Sequence, residues 1–288
     1  MKRKSFARNT CGRLQEEINQ DRENHNKKPF PPDKLNKEEI KEINQSTTDR
    51  ESGYYVKDER TKQFAYSFHA AADRNGFVLW TIVTPGNTHD SHILEPLVGQ
   101  VIEKVSKPEA VAADAAYKTP VITSYLFSNK ITPALPYTRP RTKEGFFHKH
   151  DYVYDEHFNC YLCPSGEILK YSTTNKEGYR GYKSPKHICV TCPFLSQCTE
   201  SKDHQKVVTH PIWQDYIEEA DHLRHHQDVK PIYAKRKETI ERVFADAKEK
   251  HSMRWTTLRG LKKLSMLTFA AMNVKKMANW TWKGPKMA

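Results

Sequence analysis

Residues 64–83 read FAYSFHAAADRNGFVLWTIV. Phe64, Tyr66 and Phe68 alternate with small or polar residues, which gives an extended segment one aromatic face. Asp73-Arg74-Asn75-Gly76 carries turn chemistry, and Phe77–Val83 is a second run of strand formers, so the stretch predicts an antiparallel hairpin. Upstream, the strand pattern begins at Tyr54. Downstream, Pro85-Gly86-Asn87 breaks the sheet, Thr88 offers a helix cap, and Ile93, Leu94, Leu97, Val101 and Ile102 follow at three-and-four spacing. A short apolar strand over Ala110–Ala113 ends at Asp114, a helix is predicted over Pro120–Ser128, and a strand over Ile131–Leu135. Strand, strand, helix, strand, helix, strand is the alternation of a mixed α/β sheet.

The flanking sequence divides into three further stretches. Residues 1–50 are polar and helix-prone, with Leu14 and Ile18 four apart and a break at Pro29, Pro31 and Pro32, and read as a helical connector to the core stretch 51–135. Residues 136–229 are rich in Tyr, His and Cys and poor in aliphatic runs, the composition of an inserted module. Residues 230–288 predict two helices, one continuous over Tyr233–Lys250 and one over Leu258–Met277 with an apolar face of Leu261, Leu264, Leu267 and Ala271.

Charge is concentrated at that end. The chain holds 47 Lys/Arg against 35 Asp/Glu, a net of +12, and Lys230–Ala288 alone holds 15 against 4. An excess so placed, on a segment with Trp255, Trp280 and Trp282, describes a folded basic surface for an anionic partner and not a disordered arm. Arg236, Lys237, Arg242, Lys248, Arg254 and Arg259 are its candidate phosphate contacts, with a smaller basic loop at Arg139, Arg141 and Lys143. Trp255, beside Arg254, is read first as a core residue and second as a stacking platform for a base. Mean hydropathy is -0.83 and the longest largely apolar run, Leu264–Val274, is too short and interrupted to cross a bilayer. The basic N-terminus has no apolar stretch behind it, so no signal peptide is read and the expected location is the cytoplasm, associated with the nucleoid.

Two carboxylates stand out. Asp114 ends an apolar strand, at the sheet edge where ligands of open α/β sheets bind. Glu241 falls in angle between Ile240, Val243, Phe244 and Ala247 and reads as lying near the buried edge of its helix, where it would need a partner or a metal. Lys248 lies two turns further along the same side, so the helix offers a metal ligand and then a phosphate contact. Five of the six cysteines fall between residues 160 and 198. Cys160-x₂-Cys163 and Cys189-x₂-Cys192 are two knuckles 25 residues apart, a spacing suited to structural zinc in a Cys₄ shell. Cys198 is an alternative ligand, as are His187 and His204, and the competing reading is a set of reduced cysteines without metal.

The chain resembles the DDE transposases of bacterial insertion sequences, in the subgroup whose catalytic domain is interrupted by a cysteine-bearing insertion. The resemblance is carried by STTDRESGYY (46–55), HAAADRNGFVLWTIVTPGNTHD (69–90), DAAYKTP (114–120), LPYTRP (135–140), the cysteine region, and KRKETIERVFADAKEKHSMRWTTLRG (235–260). It implies an RNase H-like mixed sheet with flanking helices, divalent ions (Mg²⁺ or Mn²⁺) held by two Asp and one Glu, and DNA strand cleavage and transfer. Its partners would be element ends, target DNA and other transposase chains, with no membrane.

Residue by residue, Asp114 with Tyr117 matches the second catalytic aspartate, and Glu241 matches the catalytic glutamate. Tyr233, Arg236 or Lys237, Glu241 and Lys248 correspond to the helix signature, with the Tyr-to-Glu spacing one residue longer than usual. The family's first aspartate, in an Asp-Gly-Thr or Asp-Ser-Thr context, has no counterpart. Asp49, Asp73 and Asp90 read as turn or cap residues, with Asp90 the best placed substitute. The expectation is a C-terminal portion that is inactive alone, the alternative being a non-catalytic zinc- and DNA-binding remnant.

Overall fold

The computed structural model describes residues 12–32, 44–255 and 263–282. In chain order its first elements are α1 (Gly12–Asn24), β1 (Gly53–Val56), β2 (Lys62–Ala72), β3 (Val78–Pro85), α2 (Leu94–Lys104), β4 (Ala110–Ala112), α3 (Pro120–Ser128) and β5 (Thr132–Ala134). Then come β6 (Val153–Asp155), β7 (Cys160–Leu162), β8 (Ile168–Thr174), β9 (Tyr179–Lys183), α4 (Lys186–Cys189), α5 (Leu195–Cys198) and β10 (Val207–Pro211). The last are α6 (Gln214–Leu223), α7 (Val229–Lys235), α8 (Ile240–Lys250) and α9 (Lys263–Trp282). Among the described residues no helix is long and apolar enough to cross a membrane. The chain is mixed α/β and divides into two compact units: residues 44–137 with the described residues from 216 onward, and residues 12–32 with 138–215.

In the first unit the hairpin forms as read, with Phe68 opposite Val83 and Ala70 opposite Thr81. Its loop closes because Asp73 Oδ1 accepts the amides of Asn75 and Phe77 at 2.9 and 2.8 Å, while Gly76 takes φ +77°, which glycine adopts at little cost. The helix after it is entered through a short turn, Asp90–His92, capped by His89 and not by Thr88. Thr119 caps α3, with Pro120 in its first turn. Leu94, Val98, Ala113, Ile122, Leu126, Ile131 and Leu135 form one core, in which Ile122 and Leu126 are fully buried, each contributing about 1.5–3 kcal/mol.

The expected single mixed sheet is, among the described residues, two sheets. One is antiparallel, in the order β1-β2-β3; the other is the parallel pair β4-β5. Within the first, β1 pairs with Lys62–Ala65 of β2 and β3 pairs with Tyr66–Ala72.

Three further expectations are corrected in this unit. The helix over Tyr233–Lys250 is interrupted at residues 236–239, where the Glu241 amide reaches back five residues to the Arg236 carbonyl at 3.3 Å while the Thr239 amide keeps its bond to Lys235. The apolar face of α9 is not the one expected. Leu267 is 67% exposed and Ala271 is also exposed, whereas Phe269 is buried with Val78, Val243, Ala247 and Met253. Asn273 fixes that rotation, its side chain receiving the Val78 amide at 2.9 Å and donating to the Val78 carbonyl at 2.8 Å. Leu261, and the side chain of Leu264, lie outside the described residues. Trp255 is 74% exposed, so it is not a core residue; Met253 takes the buried position beside it.

The second unit is a five-stranded antiparallel sheet in the order β10-β9-β8-β7-β6. Its core is aromatic: Tyr152, Tyr161, Leu169, Tyr182 and Val208. Helix α1 packs on β8 and buries Leu14, Ile18 and Asp21, spaced one and two turns apart. Asp21 is neutralised by Arg180, whose Nε and Nη2 lie 2.8 and 2.6 Å from Oδ1, and its other oxygen accepts the Thr174 hydroxyl. His210 is buried between the Tyr161 and Tyr182 hydroxyls. Burial, and then the charges of Arg180 and Lys149, push its pKa down to about 4, so it enters the core neutral.

Candidate functional site

Asp114 sits where β4 ends, half-buried, and its Oδ1 accepts the Ala116 amide at 3.0 Å, starting the turn Ala115–Tyr117. That turn brings the Tyr117 hydroxyl to His69 on β2, 3.0 Å from Nδ1. His69 is buried, its Nε2 lies 3.0 Å from the Thr84 hydroxyl, and its Nδ1 lies 3.8 Å from Asp90 Oδ1. Strand alternation explains the placement: Phe68 and Ala70 face the core containing α8, so His69 points to the other side. Burial lowers the His69 pKa, with Asp90 opposing, and keeps the ring largely neutral at neutral pH. Burial, then the negative charges of Asp90 and Asp114, hold the Tyr117 phenol far above the usual tyrosine range, so it stays protonated. A hydrogen-bonding pair thus links the middle of β2 to the turn that follows β4, flanked by two carboxylates. Asp73 serves its own turn, Asp49 accepts the Glu51 amide of its turn and the Tyr66 hydroxyl of β2, and Asp90 belongs to this cluster.

Glu241 lies in the first turn of α8 and is not near a buried edge. Val243 and Ala247 form the buried side, and the Glu241 side chain is 48% exposed. It pairs with Arg236, whose Nη2 donates to Oε1 at 2.8 Å, and the Arg236 guanidinium lies over the Tyr233 ring at 5.7 Å. Tyr233, Arg236 and Glu241 are therefore physically linked. Between them the Glu241 amide reaches the Arg236 carbonyl at 3.3 Å, five residues back, a widened turn that absorbs the longer Tyr-to-Glu spacing. Lys237, Arg242 and Lys248 are exposed. Arg254 pairs with Glu249, Lys143 pairs with Glu200 in the other unit, and Arg259 lies outside the described residues.

Of the five cysteines, Cys163, Cys189, Cys192 and Cys198 line one cavity of about 230 Å³, together with Ser184, Ile188 and Lys206. Cys160 is not among its walls. It is buried in β7, whereas Cys163 follows the strand in the turn to Gly166 and lines the cavity, so the two do not act as one knuckle. His187 and His204 are exposed and outside this cavity.

Among the described residues no three His, Cys, Asp or Glu side chains are gathered closely enough to hold a metal ion. Asp114 and Glu241 offer the hard oxygen donors that Mg²⁺ takes, but they do not form a ready-made centre. The sequence reading missed His69. The available signal was a histidine within an otherwise aromatic and alanine-rich strand, spaced to face away from the aromatic side.

No curated protein and no solved structure matches the chain. Residues 162–278 match a family model described as a transposase DDE domain, a span that takes in Glu241 and the four cavity cysteines and supports a DDE transposase.

Proposed function

We propose that the chain is the catalytic portion of an insertion-sequence DDE transposase, which binds DNA and takes part in divalent-metal-dependent strand cleavage and transfer, in the cytoplasm and at the nucleoid. The fold would be RNase H-like, interrupted by the cysteine-rich residues 136–229. The observation that carries the reading is Asp114, at the end of β4 and beside the Tyr117, His69 and Asp90 cluster. Asp114 and Glu241 are the proposed carboxylate ligands of Mg²⁺ or Mn²⁺. Such ions would activate the attacking hydroxyl and stabilise the leaving oxygen.

The chain's own groups have separate tasks. Protonated Tyr117 fixes the turn that presents Asp114. Arg236 neutralises Glu241 in the absence of a cation, and once that carboxylate is taken its guanidinium is free for a DNA phosphate. Lys237, Arg242 and Lys248 hold further phosphates. The two-metal reading requires a third carboxylate besides Asp114 and Glu241.

A strand-transfer assay on DNA carrying the element ends tests this. The 288-residue chain is expected to bind that DNA and to yield no transfer in Mg²⁺ or Mn²⁺. Robust Mg²⁺-dependent transfer by this chain, lost in Asp114→Asn, would show that the ligand set is complete within it. Failure to bind DNA would remove the reading altogether. The pairing of Glu241 with Arg236 favours one rival, a non-catalytic zinc- and DNA-binding remnant.

A further inference from the structure

The cavity in the second unit goes beyond that reading and stands on its own observations. Cys163, Cys189, Cys192 and Cys198 come from three separate segments: the end of β7, the end of α4 with the turn after it, and the end of α5. All four line the same small cavity. Reduced cysteines scattered through a core have no reason to converge, and tetrahedral zinc is the ion for which four thiolates are the complete shell.

The backbone around them is arranged for thiolates. After Cys163 the chain turns through Pro164-Ser165-Gly166, with the Gly166 amide on the Cys163 carbonyl at 2.8 Å and Gly166 at φ +85°, a conformation side chains disfavour. That turn aims the Glu167 amide at Cys163 Sγ, 3.3 Å away. A second turn, with the Cys192 amide on the Cys189 carbonyl at 3.2 Å, sets Cys189 and Cys192 on one bend. Cys198 Sγ lies 3.2 Å from the Tyr152 hydroxyl. Lys206 donates to the Cys198 carbonyl at 2.8 Å and lines the cavity, placing a cation beside a shell that carries net negative charge once four thiolates surround Zn²⁺.

We propose that Cys163, Cys189, Cys192 and Cys198 form a structural tetrathiolate zinc site and that Cys160 takes no part in it. The thiols are not at ligand distances as they stand. Side-chain rotation within the cavity, with release of the thiol protons to solvent, would close the shell.

Metal analysis of the full chain, purified under reducing conditions, is the test. About one zinc per chain is expected. Cys160→Ser should retain it, and Cys163→Ser or Cys189→Ser should lose at least half. Because a serine variant can fail to fold, the unmodified chain is also titrated with Co²⁺, where intense sulfur-to-cobalt charge transfer and tetrahedral ligand-field bands are expected. Alkylation with and without zinc should show protection of the four cysteines by the metal. Absence of both zinc and the cobalt spectrum, or loss of zinc in Cys160→Ser equal to that in Cys163→Ser, overturns the assignment.

Discussion

Asp21→Ala should destabilise the second unit by about 3–5 kcal/mol, the usual cost of stranding one member of a buried ion pair. Asp21 is buried in α1, and removing it leaves the Arg180 guanidinium and the Thr174 hydroxyl without the carboxylate that both contact. The helix would lose one of its polar anchors on β8 and keep Arg22, which donates to the Thr173 hydroxyl and the Thr174 carbonyl, with Leu14 and Ile18 as its remaining buried residues. Trp213, buried in the same unit, reports the transition by fluorescence in a urea titration. The midpoint should fall sharply, whereas Asp21→Leu combined with Arg180→Met should recover much of the loss, since burial of two apolar groups strands no charge. A drop below about 1 kcal/mol for Asp21→Ala would mean that the pair is solvated, as surface pairs are.

The second large effect concerns DNA. Replacing Lys237, Arg242 and Lys248 together by alanine should lower the slope of log K against log salt by about 3, close to one unit per phosphate contact. Binding at low salt should weaken on the order of 100-fold, from about 1 kcal/mol per contact. All three side chains are exposed, so the fold should not suffer. The loss should be similar on unrelated DNA sequences, because phosphates carry no sequence information. An unchanged salt slope would place the DNA elsewhere on the molecule.

The elements that were legible in the sequence are those whose determinants are local. The hairpin follows from aromatic alternation and the Asp73 to Gly76 turn; α3 and β5 follow from Thr119-Pro120 and a short apolar run. What escaped depended on partners distant in the chain. The rotation of α9 is set by Asn273 reaching the backbone of Val78, 195 residues away, and apolar periodicity cannot register a polar anchor. The break before α8, by contrast, is local but small, a turn widened by one residue between Arg236 and Glu241 inside a stretch that propensity reads as one helix.

The candidate site shows the same division. Spacing singled out Cys160 and Cys163 as a pair, but Cys160 stays within β7 while Cys163, in the turn after it, lines the cavity with Cys198. Asp114 was visible as the end of an apolar run, whereas its neighbours His69 and Asp90 are supplied by β2 and by the turn before α2. Glu241 was found by resemblance, while its burial was misjudged because the buried stripe of α8 is narrow, Val243 and Ala247 only.

The most direct measurement is iron-mediated cleavage of the protein itself. Fe²⁺ takes the oxygen ligands of Mg²⁺ and, with ascorbate and peroxide, generates radicals that cut the backbone beside the bound ion. In the presence of DNA, cuts are expected both near Asp114 and near Glu241, suppressed by excess Mg²⁺, and both should vanish in Asp114→Asn. Cutting near only one of them, or a cut near Glu241 that survives Asp114→Asn, would show that the two carboxylates do not serve one metal centre.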